Sequence, residues 1–286
     1  MQAHSFDPRQ LNADLHCHSF ISDGTLSPSA VAARAAQFGV QLWSLTDHDE
    51  VAGQVEAARA ARELGLPYVE GVEISVTWAH ETIHVVGLRI DSLNAGLVEG
   101  LTKTRCGRER RAREIGARLE AIGIEGGFAG ALARAGNPDL ISRTHFARFL
   151  VETGVCADMQ EVFAQYLVAG KPGYVPMRWA TLGEAVQWIT DAGGVAVVAH
   201  PGRYALSALE MDALLGEFKE HGGTGLEVIT GSHTPSQYRE YAEVATRFGF
   251  LASRGSDFHD PIESRAEFGS LPPLPQSLVP IWHDWF

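Results

Sequence analysis

The stretch Leu15–Thr25, LHCHSFISDGT, sets two histidines two residues apart and an aspartate five residues further on. In an extended strand residues i and i+2 point to the same face. His16 and His18 then converge on one point, while Cys17 turns the other way, into a core. Two neutral imidazoles on one face chelate a divalent cation well. The alternative is a pair of surface histidines on an exposed strand, and the rest of the chain has to choose.

Outward from this stretch, apolar runs alternate with helical patterns. LNADLH reads as a strand. SPSAVAARAAQFG reads as a helix with Ser27 as N-cap, Pro28 at the first helical position and Gly39 as its stop. VQLWSLTDHD is a second strand, AGQVEAARAARELG a helix stopped by Gly65, and PYVEGVEISV and TIHVVGLRI two further strands. From Asn94 to about Ala169 the pattern turns mostly helical. Alternation resumes with TLGEAVQWITDAGG, VAVVAHPG, MDALLGEFKEHG, GLEVITG, SQYREYAEVATRFG and FLASRGSDFH. This rhythm predicts an α/β barrel of parallel strands over residues 1–93 and 180–286, interrupted by a helical insertion at 94–179. LPPLPQSLVP near the end is expected to wrap back on the body.

Metal-ligand residue types recur at the predicted strand ends. They are His16 and His18, then Asp47, His48 and Asp49, then Glu73, His84, His200, and finally Asp257 with His259. In a parallel barrel all C-terminal strand ends open on one face. One histidine there is ordinary packing; a set at six strand ends points to metal. Histidine and carboxylate without cysteine suit Mn²⁺, Zn²⁺ or Fe²⁺. So many donors exceed one ion and imply two or three, a device for hydrolysing phosphate esters. His4, His80, His221, His233 and His283 fall outside the pattern and read as surface residues.

Composition bounds the alternatives. With 286 residues and 45% hydrophobic content, the chain supports a large core. No apolar run approaches a membrane span, and the first residues lack a basic-then-apolar leader. Three widely spaced cysteines, an odd number without a CxxC, argue against a disulfide framework, so a reducing cytoplasm is expected. The net charge of −12 argues against broad coating of nucleic acid. Gly100–Arg148, however, carries ten Lys or Arg against five Asp or Glu. A basic segment in an acidic chain suggests an anion-facing patch.

Taken together, HxH with a following Asp, TDHD, EISV…IHVVG, AHP and SDFH resemble the PHP family, the polymerase and histidinol phosphatase domains. The resemblance runs from Ala13 to His259. It implies a distorted (β/α)7 TIM-like barrel with a helical insertion, and a centre of two to three divalent ions. Mn²⁺ comes first and Zn²⁺ or Fe²⁺ second, since Asp23 stands where many members carry histidine. By resemblance, His16, His18, Glu73 and Asp257 hold the first metal, and Glu73 bridges to a second with His84 and His200. Asp23, His48 and His259 hold the third. Glu73, Asp257 and His200 are the residues expected to carry catalysis.

LISRTHFARFLVETG and AGKPGYVP, after the basic helix, resemble the PHP group that acts on nucleotides. Arg143, His145, Lys171 and Arg203 are then the candidate phosphate contacts, with Tyr174 and Trp179 as aromatic residues able to stack on a base. The implied activity is removal of the 3′-phosphate from nucleoside 3′,5′-bisphosphates. One alternative is 5′-3′ exonuclease action on short RNA or DNA; another is a non-catalytic metal-binding module. Expected partners are a small phosphorylated nucleotide and, second, short oligonucleotides. No membrane and no obligate protein partner are expected.

Overall fold

In a computed structural model, which describes residues 8–79 and 81–285, the local rules of the first helix are met atom by atom. Helix α1 (Pro28–Gln37) starts at Ser27, whose side chain accepts from the Ala30 N–H at 3.1 Å. It is followed by Gly39 at φ +77°. The remaining helices are α2 (Gln54–Leu64), α3 (Ala95–Arg105), α4 (Arg108–Glu120), α5 (Gly127–Leu132), α6 (Arg143–Glu152), α7 (Met159–Val162), α8 (Leu182–Asp191), α9 (Ala208–Glu220) and α10 (Pro235–Phe248). The strands are β1 (Ala13–Asp14), β2 (Leu42–Trp43), β3 (Gly71–Trp78), β4 (Glu81–Leu88), β5 (Val195–Val198), β6 (Gly225–Thr230) and β7 (Leu251–Gly255).

The strands form a two-stranded sheet, β1-β2, and a five-stranded sheet in the order β3-β4-β5-β6-β7. Isolated parallel bridges join the two: Trp43 with Tyr68 and His48 with Glu73 on one side, Cys17 with Phe258 on the other. This departs from the expected all-parallel barrel. β4 runs antiparallel to both β3 and β5. Only two residues separate Trp78 from Glu81, too few for the crossover that a parallel pair needs, so β3 and β4 must form a hairpin. Glu73 and His84 therefore sit inside their strands, not at the ends, in a register that pairs Ser75 with His84. A continuous closed ladder is absent among the described residues.

One core lies under both sheets and includes Leu15, Ile74, Val85, Val197, Leu226 and Trp282. Leu97 and Leu101 of α3 belong to it, although α3 opens the span read as insertion. Gly100 there lies flat on the Trp188 ring, where a Cβ would come within 2.4 Å. A separate apolar cluster runs from Ala112 to Val175 and includes Leu119, Phe146 and Leu150. The proline-rich tail lies on the body: Ala252 N–H donates to Val279 O at 2.8 Å, and Ile281 N–H to Ala252 O at 2.9 Å. No helix of the described residues is long and apolar enough to cross a membrane.

Candidate metal centre and adjoining cavity

The extended segment after β1 aims His16 and His18 the same way. Cys17 points back into the core, with the Trp43 Nε1–H 3.2 Å from its Sγ. Gly255 makes this approach feasible, because a Cβ there would come 2.3 Å from that of His16. His16 Nε2 and His18 Nε2 each lie 3.2 Å from Glu73 Oε2. Asp257 Oδ1 is 3.6 Å and 3.3 Å from the same two nitrogens. On the other oxygen of Glu73, His84 Nδ1 and His200 Nε2 each stand 2.9 Å from Oε1. His48 reaches Glu73 Oε2 through Nδ1 at 2.9 Å and faces Asp23 Oδ1 through Nε2 at 3.8 Å. His259 Nε2 is 3.3 Å from the same Asp23 oxygen.

All nine histidine and carboxylate residues read as ligands from sequence thus meet in one place, with Glu73, fully buried, at its middle. The donors fall into overlapping groups, among them His18 with Asp23, His48 and His259, and His16 with His18 and Asp257. Glu73 Oε2, His48 Nδ1, His84 Nδ1 and Asp23 Oδ1 are buried and have no hydrogen-bond partner, despite these short separations. Buried polar atoms left without a hydrogen bond, in groups whose donor atoms lie within 4.8 Å of one another, suit a divalent cation held by a His and carboxylate set.

The backbone is bent to achieve this. Asp49, His200 and Asp257 hold φ of 50°, 26° and 56°, left-handed values that cost non-glycine residues about 1–3 kcal/mol each. Each ties its own N–H down: Asp49 to Glu73 O at 2.8 Å, Asp257 to His16 O at 2.8 Å, and His200 to Glu227 Oε2 at 2.6 Å.

Carboxylates surround and orient the cluster. Asp47 and Asp49, both named at a strand end, do not join it. Asp47 accepts from Ser19 and Ser22, and Asp49 accepts from Ser75 and pairs with Arg108. Burial penalises His18, but the carboxylates of Asp257 and Glu73 beside it outweigh that and hold it up at about 10. Burial, helped by Arg203, pushes His200 down to about 3. Burial also works against charge on Glu73, Asp23 and Asp257, yet the histidines around them hold all three well below the usual carboxylate range.

The open side of the cluster is a cavity whose lining includes Asp23, His48, His84, Arg108, Arg111, Arg143, Trp179 and Arg203. Arg108 and Arg111, one turn apart on α4, place their guanidiniums 4.6 Å and 5.6 Å from the Trp179 ring centroid. Burial, with Arg143 and Arg108 nearby, lowers Arg111 to about 9. Arg203 reaches Asp257 Oδ2 at 2.8 Å and also lines a second cavity with Ser232, Ser256 and Arg265.

Not every candidate contact arrives here. Lys171 is exposed on a turn and is absent from the lining of both cavities. His145 is fully buried and faces its own helix: its Nδ1 accepts from the Ser142 N–H at 3.0 Å, completing a capping box at the start of α6. Tyr174 lies in a neighbouring groove beside Pro176 and Met177. His233, expected at the surface, is buried because its ring spans two backbones, accepting from Gly202 N–H at 2.9 Å while Nδ1 sits 3.1 Å from Val228 O. His4 and His80 lie outside the described residues, while His221 and His283 are exposed.

Sequence reading missed Arg108, Arg111 and Glu227. The two arginines were signalled only by an i, i+3 spacing inside a long basic helix. Glu227 was the lone charge in an otherwise apolar strand, GLEVIT.

His145 carries its own test. Burial pushes it down to about 4 from the ordinary 6.5, and its cap requires Nδ1 unprotonated. The unfolded chain therefore binds the proton first. The contribution of neutral His145 is whole above pH 6.5 and is lost as pH falls through 4, on the order of 3 kcal/mol. His145→Gln keeps a capping residue at this position. Urea unfolding of metal-free protein between pH 4 and 7 is expected to show a shallower pH slope in the variant. Identical slopes would contradict this.

Fold and donor set together define an α/β protein with a cluster of His, Asp and Glu donors suited to metal beside a cationic cavity. The PHP domain model matches residues 14–165, and the chain belongs to the PHP family. It is 49% identical over 273 residues to a 3′,5′-nucleoside bisphosphate phosphatase of Chromobacterium violaceum, covering 96% of each chain. It is 41% identical over 276 residues to the 5′-3′ exoribonuclease Rnm of Escherichia coli, covering 95% of this chain and 93% of that one. Among solved structures, a Chromobacterium violaceum protein described as an amidohydrolase, with sulfate bound and no metal, superposes with a TM-score of 0.93 at 49% identity. That match covers 96% of this chain and 95% of the other.

Proposed function

We propose that this chain is a metal-dependent phosphoesterase that removes the 3′-phosphate of nucleoside 3′,5′-bisphosphates, releasing a 5′-nucleotide and phosphate. The observation that carries the reading is the cavity in which Arg108, Arg111, Arg143 and Trp179 stand beside the ligand cluster. It offers Arg111 and Arg143, with the Asp49-paired Arg108 beside them, for the phosphate that is kept, and an aromatic plane for the nucleoside. The 49% identical phosphatase supports it across nearly the whole chain.

The centre is read as two to three divalent ions, Mn²⁺ first, on His16, His18, Asp23, His48, Glu73, His84, His200, Asp257 and His259. Bound there, such ions activate water and screen phosphoryl charge. The chain's own residues do the rest. Arg203, already beside Asp257, faces the reacting phosphate, while Arg108, Arg111 and Arg143 fix the other end of the substrate. Asp23 is held by Thr144 Oγ1 at 2.9 Å, so the helical insertion orients a ligand as well as lining the cavity. We read the strand arrangement, with its bridges between the two sheets, as the distorted barrel of the family, working in the cytoplasm.

A second reading, 5′-3′ exonuclease action on short oligonucleotides, is favoured by the further cavity beyond Arg203, which gives a leaving nucleotide somewhere to sit. A complete donor set stands against a non-catalytic module. Phosphate and nucleotide release are to be measured on adenosine 3′,5′-bisphosphate, histidinol phosphate and 5′-phosphorylated oligonucleotides. The expected result is fastest turnover of the bisphosphate, lost on chelation and restored by Mn²⁺, with two to three ions per chain by elemental analysis. Trace metal and no rescue would sink the reading.

A further inference from the structure

We propose that Glu227 is a positioning residue whose single carboxylate sets two metal ligands at once. The inference rests on the reading that the cluster holds metal ions. Glu227 lies on β6, where every residue of the strand is buried, and it is 1% exposed. Each of its oxygens serves a different ligand. Oε1 is 2.7 Å from His16 Nδ1, and Oε2 accepts the backbone N–H of His200 at 2.6 Å. The pairing of β6 with β7 shifts register between Glu227 and Ile229. The extra residue is Val228, so Glu227 keeps its pairing with Ser253 at the edge of the irregularity.

The two contacts act differently. On His16, a carboxylate at Nδ1 keeps the proton on that nitrogen. The lone pair of Nε2 then faces Glu73, His18 and Asp257, where an ion would sit. On His200, the bond holds the backbone at φ 26°, the left-handed turn that swings its ring toward Glu73 Oε1. His16 and His200 stand on opposite oxygens of Glu73. One buried carboxylate thus fixes the ring state of one ligand and the backbone of another.

Glu227→Gln keeps the shape and removes this double acceptor. Its one oxygen can serve His16 or His200, and its amide N–H₂ must face the other. If the amide faces His16, Nδ1 becomes an acceptor and the proton moves to Nε2, which blocks metal binding there. If it faces His200, two donors oppose each other and the turn relaxes.

The test uses the full chain loaded with Zn²⁺, a diamagnetic ion, and reads proton position and affinity instead of turnover. Long-range ¹H–¹⁵N spectra of wild-type protein are expected to show His16 protonated at Nδ1. Competition against a chelator is expected to show Glu227→Gln binding Zn²⁺ about 10- to 100-fold more weakly, the usual effect of removing a partner of a metal-bound histidine. A wild-type His16 proton on Nε2 overturns the proposal, and that measurement stands even if the variant fails to fold. Equal Zn²⁺ affinity of variant and wild type overturns this proposal alone. A wild-type chain that takes up no ion overturns the metal reading together with it.

Discussion

Glu73→Gln is expected to abolish turnover, with kcat/KM falling at least about 10³-fold, the upper end of the loss from removing one electrostatic group in an active site. It is also expected to release more than one metal ion. The reason is positional. The two oxygens of Glu73 lie within 2.9–3.2 Å of nitrogens from His16, His18, His48, His84 and His200, so a neutral amide removes the shared negative charge from five imidazoles at once. Its N–H₂ also offers no lone pair to a cation on one of the two sides where Glu73 now presents an oxygen. His84→Ala is the control. Among the cluster carboxylates His84 approaches only Glu73 Oε1, and its ring is about one-fifth exposed, so water can replace it. A loss of about 10- to 100-fold is expected there, in the range seen for weakening one ligand. Elemental analysis and steady-state kinetics on both variants decide the point. Equal, mild losses would contradict the bridging role of Glu73.

The contrast between those two residues also shows what the sequence made legible. The residues that gather around Glu73 were readable because metal chemistry restricts residue type so strongly. HxH on an extended segment fixes two rings by geometry alone, and TDHD, AHP and SDFH repeat the same donors. Strand direction was not legible in the same way. GVEISV and TIHVVGL carry the apolar pattern of buried strands, and burial is indifferent to whether neighbours run parallel. Only the two-residue gap between Trp78 and Glu81 distinguishes a hairpin from a crossover. Outer residues were harder still. Asp47 and Asp49 share the ligand alphabet, and only the positions of Ser19, Ser22, Ser75 and Arg108 turn them away from the centre. His145 and Lys171 sit in motifs that resemble phosphate-binding segments. Helix capping claims the first and solvent the second, and neither outcome leaves a trace in residue spacing.

The cavity arginines lead to the second large effect. Arg143 opens α6 and turns its guanidinium into the cavity, where NH1 donates to Leu167 O at 3.2 Å and the group lies 5.8 Å from the Phe163 ring centroid. Burial lowers its pKa, and Arg203 and Arg108 add to the repulsion. Of the four guanidiniums lining this cavity, Arg108 is paired with Asp49 and Arg203 with Asp257, whereas Arg111 and Arg143 face no carboxylate among the described residues, so an anionic ligand is what would balance them. If that ligand is the phosphate that is not cleaved, its grip orients the reacting end as well, and removing it lowers turnover along with affinity. Arg143→Ala is therefore expected to lower kcat/KM for a 3′,5′-bisphosphate about 10- to 150-fold, since one charge-assisted contact contributes roughly 1.5–3 kcal/mol. It is expected to leave p-nitrophenyl phosphate, which has no second phosphate, nearly unchanged. Arg111→Ala should repeat this pattern, and Lys171→Ala, exposed outside the cavity, should show neither loss. An equal loss on both substrates would place Arg143 at the cleaved phosphate or in the fold. Faster turnover of short 5′-phosphorylated oligonucleotides than of any mononucleotide bisphosphate would make the exonuclease reading the primary one, with the same arginines holding the 5′-phosphate of a chain.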